Sequence, residues 1–250
     1  MAGHSHWAQI KRQKGATDAK RGAVFTKSAR EIQSAVRQGG PNPDANFSLR
    51  LAIDRARAVN MPKDSIERAI ERAAGGGEGA AHFDEVVYEG YGPHGVAILM
   101  ETLTDNRNRT VGNIRSTLTK RGGSLAEGGA VAGQFEQKGV ILVGLSGQDS
   151  DEVSLTAIDL GADDVQAVDE GLEVLTAVEN LQSVREGLIK AGLSVKSAEL
   201  ARIPKMNVTL GEQDTLQVLT LIDVLEDLDD VQRVYSNLEV SDEVYEKLEA

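Results

Sequence analysis

Residues 138–204 read KGVILVGLSGQDSDEVSLTAIDLGADDVQAVDEGLEVLTAVENLQSVREGLIKAGLSVKSAELARIP, and the order of elements in this stretch decides the fold. Apolar runs at 140–143, 165–168, 172–176 and 195–203 have the length of strands. Segments 151–160 and 180–191 carry apolar residues at helical spacing, one between the first two strands and one between the last two. The order βαββαβ is the split βαβ arrangement of a ferredoxin-like lobe.

The flanks of this lobe are incomplete when taken alone. After Pro204 come a strand at 206–210, a helix at 215–228 and a strand at 231–235, and this βαβ has no partner of its own. Upstream, strands at 85–89 and 96–102 meet across Gly90-Tyr91-Gly92-Pro93-His94-Gly95. A polar loop at 104–109, a helix at 110–121 and a strand at 130–135 follow. The two flanks complete each other if residues 79–136 and 205–250 form one discontinuous α+β lobe with 137–204 inserted in it.

The first 78 residues have a different texture and read as an arm plus a three-helix bundle. In 21–38, Phe25, Ala29, Ile32 and Val36 share one face, with Lys27, Arg30 and Arg37 roughly opposite. A second helix at about 46–59 clusters Leu49, Ala52, Ile53 and Ala56, leaving Arg50, Arg55 and Arg57 outside. Asp64 and Glu67 form a D-x-x-E capping pattern before Ile66, Ala69, Ile70 and Ala73. Gly75-Gly76-Gly77 is a flexible stop. The fold class is therefore α+β multidomain: helical first, then two α+β lobes, one inserted in the other.

Net charge is -12 over 250 residues, which taken alone opposes a nucleic-acid partner. The distribution reverses that inference. Residues 1–75 hold 14 Lys and Arg against 7 Asp and Glu, a net of +7, and the remaining 175 residues carry -19. Such asymmetry points to a polyanion-facing surface on the first third. The reading requires those cations to share an exposed face rather than pair with C-terminal carboxylates. Cysteine is absent, which removes disulfides and thiolate chemistry. No run is long and apolar enough for a membrane span, and the N-terminus lacks the apolar core of a secretory signal, so a cytoplasmic protein is expected.

Motifs for catalysis are missing. Gly90-x-Gly92-x-x-Gly95 matches a dinucleotide fingerprint by letters, but Pro93 removes an amide and a strand follows, so a hairpin turn is expected. His4-x-His6 lacks further converging ligands. No catalytic, cofactor or metal site is expected, and no enzyme. In the arm, Lys11, Arg12 and Lys14 suit phosphate contact, while Trp7 either stacks on a base or anchors the segment. Lys20, Arg21, Lys27, Arg30 and Arg37 extend the basic run. Arg107-Asn108-Arg109, with Arg115, Lys120 and Arg121, is free of acid from Asn106 to Ala126. It reads as an anion site beside a helix start or as a polar turn with incidental charge. Between 206 and 250, 12 acidic residues face 2 basic ones, a solvated face or a surface for a basic protein partner. The inserted lobe's strands carry none of the aromatics of an RNA-recognition sheet.

The opening MAGHSHWAQIKRQKGATDAKRGAVFTKSAREI, the segment LRLAIDRARAVNMPKDSIERAI and YEGYGPHGVAILMETLTDNRNRT together resemble the YebC/PmpR family, most closely over residues 1 to about 139. Ala130-Val131-Ala132-Gly133-Gln134-Phe135 departs from it, since relatives usually place an aromatic-Met pair before the phenylalanine. The resemblance implies a three-domain cytoplasmic regulator of gene expression that binds DNA as a transcriptional regulator. The alternative it also implies is a ribosome-associated translation factor that contacts RNA. No recognition helix of a helix-turn-helix is evident to support base-specific readout.

Overall fold

The structure, a computed structural model, describes residues 18–75, 82–168, 170–241 and 244, with side chains in the first helix from residue 22 onward. Three helices come first: α1 (Asp18–Gly39), α2 (Phe47–Ala58) and α3 (Lys63–Ala74). Their shared core holds Ile32, Val36, Leu49, Ile53, Ala56, Met61 and Ile66, with Phe25 and Ile70 at its margin. Asn46 caps α2 by accepting the Leu49 N–H at 3.0 Å, and its amide group donates to the carbonyls of Ala35 and Gly40. One side chain thus closes α1 and opens α2.

The first sheet is antiparallel in the order β3-β1-β2-β9, with β1 (Asp84–Tyr91), β2 (Ala97–Thr104), β3 (Ser124–Leu125) and β9 (Val231–Ser236). Helices α4 (Arg107–Lys120) and α7 (Glu212–Glu226) cover one of its faces, burying Ile98, Met100, Ile114, Leu118, Leu221, Leu225 and Val231 together. The second sheet is β5-β6-β4-β7, with β4 (Phe135–Gly144), β5 (Asp164–Val168), β6 (Gly171–Thr176) and β7 (Ser194–Pro204). Helices α5 (Ser150–Asp159) and α6 (Leu181–Lys190) pack on it. The βαββαβ lobe is therefore inserted between strands of the first sheet.

Helix α2 has two working faces. Leu49, Ala52, Ile53 and Ala56 fill the helical core, whereas Leu51 and Phe47 enter the core of the inserted lobe. Arg185 of α6 donates to Asp54 at 2.7 Å beside that contact. The helical unit is thereby built into the lobe next to it.

Several local expectations are corrected. Helix α4 begins at Arg107 rather than 110, because the Asn106 side chain accepts the Arg109 N–H at 3.0 Å and starts the helix earlier. Residues 130–135 form no continuous strand: a single 3-10 turn spans Ala132–Gln134 and β4 starts at Phe135. The cause is Glu89, whose buried carboxylate accepts the N–H groups of Gly129, Val131 and Ala132 at 2.6–2.7 Å. Burial alone raises the Glu89 carboxyl, but those three amides hold it below its ordinary value. Asp64 does not cap α3, since Pro62 holds that position and Asp64 lies in the first turn, where its charge favours the helix dipole. The strand expected at 206–210 shrinks to β8 (Val208–Thr209), which pairs in parallel with β10 (Leu238–Glu239) and joins neither large sheet. The turn at 90–95 is a hairpin connection, as its sequence implies, with a 3-10 turn at Pro93–Gly95 and His94 in the left-handed region at φ 61°.

Candidate nucleic-acid interface

Helix α4 stands on a buried polar base. Thr110 Oγ1 donates to Asp230 Oδ2 at 2.7 Å and contacts Thr104 Oγ1 at 2.7 Å, while the Asn106 N–H donates to Thr104 Oγ1 at 2.9 Å. Ile114 and Leu118 fix the other inward positions. The outward face then presents Asn108, Gly112, Asn113, Arg115, Ser116, Thr119, Lys120 and, just past the helix, Arg121, all exposed. Arg115, Lys120 and Arg121 have no ion-pair partner among the described residues. A Cβ at Gly112 would meet nothing within 4 Å, so a ligand backbone can approach the helix there.

The sequence-derived cations divide into two sets. Arg30 and Arg109 converge on Asp230, at 3.2 Å (Nη1 to Oδ1) and 2.8 Å (Nη2 to Oδ2). Arg30 also donates to the Asp229 carbonyl at 2.9 Å and lies 5.4 Å over the Phe83 ring, and Arg109 reaches Asp105 at 2.7 Å. Lys27 donates to the Glu226 carbonyl. These three side chains, Lys27, Arg30 and Arg109, tie α1 and α4 to the end of α7 and the segment that leads from it to β9. The requirement of one open basic face on the first third is corrected for Lys27 and Arg30, because Arg30 is paired with the Asp230 carboxylate and Lys27 is held by the Glu226 carbonyl within the fold. Arg107 is held at 2.8 Å by Asp84 but keeps much of its side chain in water.

The open set consists of Arg37, exposed in the last turn of α1, and Arg115 of α4. Lys20 and Arg21 fall at the start of α1, where only the backbone is described. Lys11, Arg12 and Lys14 lie outside the described residues, as do Trp7, His4 and His6. Among the described residues no cluster of three or more His, Cys, Asp or Glu could hold a metal ion, and no described helix is long and apolar enough to cross a membrane.

A second charged group escaped the sequence reading. Glu31 of α1 bridges Arg55 of α2 and Arg233 of β9, while Arg55 reaches Glu199 of β7 at 3.5 Å. Glu101 of β2 takes Arg202 of β7 at 3.2 Å and Arg233 at 3.4 Å. Five elements from all three parts of the chain meet in this network. Burial alone raises the Glu31 carboxyl, but Arg233 and Arg55 hold it below its ordinary value. Burial raises Asp230 likewise, and hydrogen bonds from Arg109 and Thr110 lower it. For Arg109, the bonds to Asp230 and then Asp105 raise its pKa. The acidic surface expected at 206–250 is partly engaged in the same manner, since the Asp230 carboxylate accepts from Arg30 of the helical unit while Asp229 offers Arg30 its backbone carbonyl.

Comparison with known proteins places these features in a wider group. A model of the TACO1/YebC protein N-terminal domain matches residues 5–76, and one of the TACO1/YebC second and third domain matches residues 83–238. The chain is 53% identical over 247 residues to a probable transcriptional regulatory protein of Dehalococcoides mccartyi, covering 99% of this chain and 98% of the relative. It is also 53% identical over 251 residues to a probable transcriptional regulatory protein of Roseiflexus castenholzii, with 99% and 98% covered. The crystal structure of a conserved hypothetical protein from Aquifex aeolicus superposes with a TM-score of 0.84 at 44% identity, covering 95% of this chain and 98% of that one.

Proposed function

Because the chain belongs to the TACO1/YebC family, whose curated relatives are named probable transcriptional regulatory proteins, we propose that it is a non-enzymatic, DNA-binding regulator of gene expression in the cytoplasm. The observation that carries this reading is the outer face of α4. In a chain of net charge -12, that face offers Arg115, Lys120 and Arg121 without one acidic side chain from Asn106 to Ala126. Cations held apart from carboxylates neutralise phosphates and release counterions, which is where most nucleic-acid affinity arises. Arg37, the exposed part of Arg107 and the cations Lys11, Arg12, Lys14, Lys20 and Arg21 extend the contact. Lys27, Arg30 and Arg109 set the spacing of α1 and α4 from within. The working units are residues 1–78, 79–136 with 205–250, and 137–204.

A second reading, a ribosome-associated translation factor, is favoured by the make-up of the same face. Beside its cations it carries Gly112, Ser116 and Thr119, a small and polar surface that can follow a sugar-phosphate backbone, and the helix has no helix-turn-helix setting that would aim Arg115 or the Asn108 and Asn113 amides at base edges.

Titrating the full chain against promoter duplex, a scrambled duplex and ribosomal RNA in parallel separates the two. A transcriptional regulator gives a promoter-to-scrambled ratio on the order of 10³ or more. Equal affinity for the duplexes together with tighter binding to ribosomal RNA moves the assignment to the ribosome. Substituting Glu for Lys11, Arg12 and Lys14 then abolishes co-sedimentation with ribosomes if the arm makes contact.

A further inference from the structure

Among the described helices, α5 exposes the two most accessible large apolar side chains, Leu155 and Ile158, on one face. Val153 and Ala157 point into the inserted lobe. On the opposite side, Asp151, Leu155 and Ile158 follow at i, i+4 and i+7, with Glu152 and Asp159 flanking them, and all five are exposed. Leu155 is 63% exposed and Ile158 53%. Leu160, just past the helix, continues the apolar strip toward α6, where it lies against Gly187: a Cβ there would come within 2.6 Å of Leu160 Cδ2. Single exposed apolar residues are ordinary, whereas neighbouring ones ringed by charge mark a contact surface.

Charge selects the occupant. Between Lys138 and Arg185 the chain has ten Asp and Glu and no Lys or Arg. Phosphate is repelled by such a surface. A second copy of the same face would set carboxylates against carboxylates around its apolar centre. A helix with Leu or Ile along one stripe and Lys or Arg beside it satisfies both features, burying the strip while its cations meet Asp151, Glu152 and Asp159. We propose that the α5 face of the inserted lobe docks a basic amphipathic helix of a partner protein, separately from the polyanion contact on α4.

The test uses the full-length chain and an 18-residue synthetic helix of Leu and Lys arranged with one apolar face, compared with a scrambled isomer. The amphipathic peptide is expected to saturate and to perturb backbone amide resonances of residues 150–160. A Leu155→Ser/Ile158→Ser double variant, both side chains being exposed, should melt as the parent does and bind at least tenfold more weakly. Asp151→Lys with Glu152→Lys and Asp159→Lys should weaken it to a similar degree. Scrambled peptide binding within threefold of the ordered one, unchanged affinity in the Ser variant, or perturbations centred elsewhere would overturn the proposal. So would a dimer that dissociates on the Ser substitutions, or duplex DNA that perturbs residues 150–160. The first assigns the face to a second copy, the other to nucleic acid.

Discussion

Arg109 donates to both carboxylate oxygens of Asp230, 121 residues later in the chain, at 2.8 and 2.9 Å. The Asp230 side chain is 6% exposed, and Arg30 of the helical unit bonds the same group. This one carboxylate therefore sets where α1 and α4 sit relative to each other, and several consequences can be measured.

Replacing Asp230 with Ala leaves Arg30, Arg109 and the Thr110 hydroxyl facing an empty acceptor position. Losing a buried acceptor whose charged hydrogen-bond partner Arg109 stays 44% exposed costs on the order of 2 kcal/mol, so the urea midpoint should fall accordingly. A double-mutant cycle with Arg109→Ala should return a coupling of about 1–2 kcal/mol. Additive losses would mean that the pair does not hold the two helices.

Charge reversal on α4 separates binding from folding. Arg115→Glu with Lys120→Glu and Arg121→Glu alters exposed positions only, and the thermal midpoint should move by no more than about 2 °C if each change costs little. Affinity for a labelled duplex should drop, and the slope of log K against log salt should become shallower by about 2 to 3. An unchanged slope in fluorescence anisotropy would place the polyanion contact elsewhere on the chain.

Acid should loosen the junction between the three parts. Glu31 and Asp230, whose ordinary values are 4.5 and 3.8, titrate lower in the folded chain because arginines face them. Their contribution to stability is thus complete above about pH 5 and is lost as pH falls through the folded values. Glu31→Gln should destabilise the chain by on the order of 2 kcal/mol at pH 7. Its loss of thermal stability between pH 5 and 3 should be smaller than that of the parent. Parallel curves in calorimetry would remove Glu31 from the acid response.

Gly171 tests the inserted lobe. Its φ is 140° and a Cβ there would approach the Val143 carbonyl oxygen to 2.1 Å, a clash with backbone that cannot rotate away. Gly171→Ala should cost about 3 kcal/mol or more from strain and overpacking combined. Gly147→Ala has positive φ but open space around it, so it should cost only about 1 kcal/mol from backbone conformation.

The sequence made the periodic features legible and left the long-range ones hidden. Phe25, Ile32 and Val36 announce α1 by spacing, and the βαββαβ order of 138–204 follows from runs whose partners are near. Spacing alone starts α4 at Thr110, three residues late, because Asn106 reads as loop although its side chain caps the helix. The segment 130–135 looks like a strand because nothing local reports that Glu89, some forty residues earlier, takes its amides. Charge was the least legible part. A net of +7 on the first third reads as free cation, yet Lys27, Arg30 and Arg55 meet partners between 31 and 230 that only the fold brings near. Glu101 and Arg233 face each other in register on β2 and β9, a pairing that no window of sequence contains. Arg115, in a stretch of sequence free of acid from Asn106 to Ala126, is exposed on α4 without an ion pair among the described residues.

The place of β9 in the first sheet bears on how the chain is made. Strand β2, with Ala97, Ile98, Leu99 and Met100 at the centre of that sheet, emerges early in synthesis with β1 on one side. Its other neighbour is separated from it by the entire inserted lobe. Until residues 231–236 arrive, an apolar strand keeps one edge of unpaired amides and carbonyls, the configuration that invites pairing with a neighbouring nascent chain. The inserted lobe completes its own sheet in the meantime, so residues 231–236 act as the latch, and chains truncated before residue 231 should be the ones that aggregate.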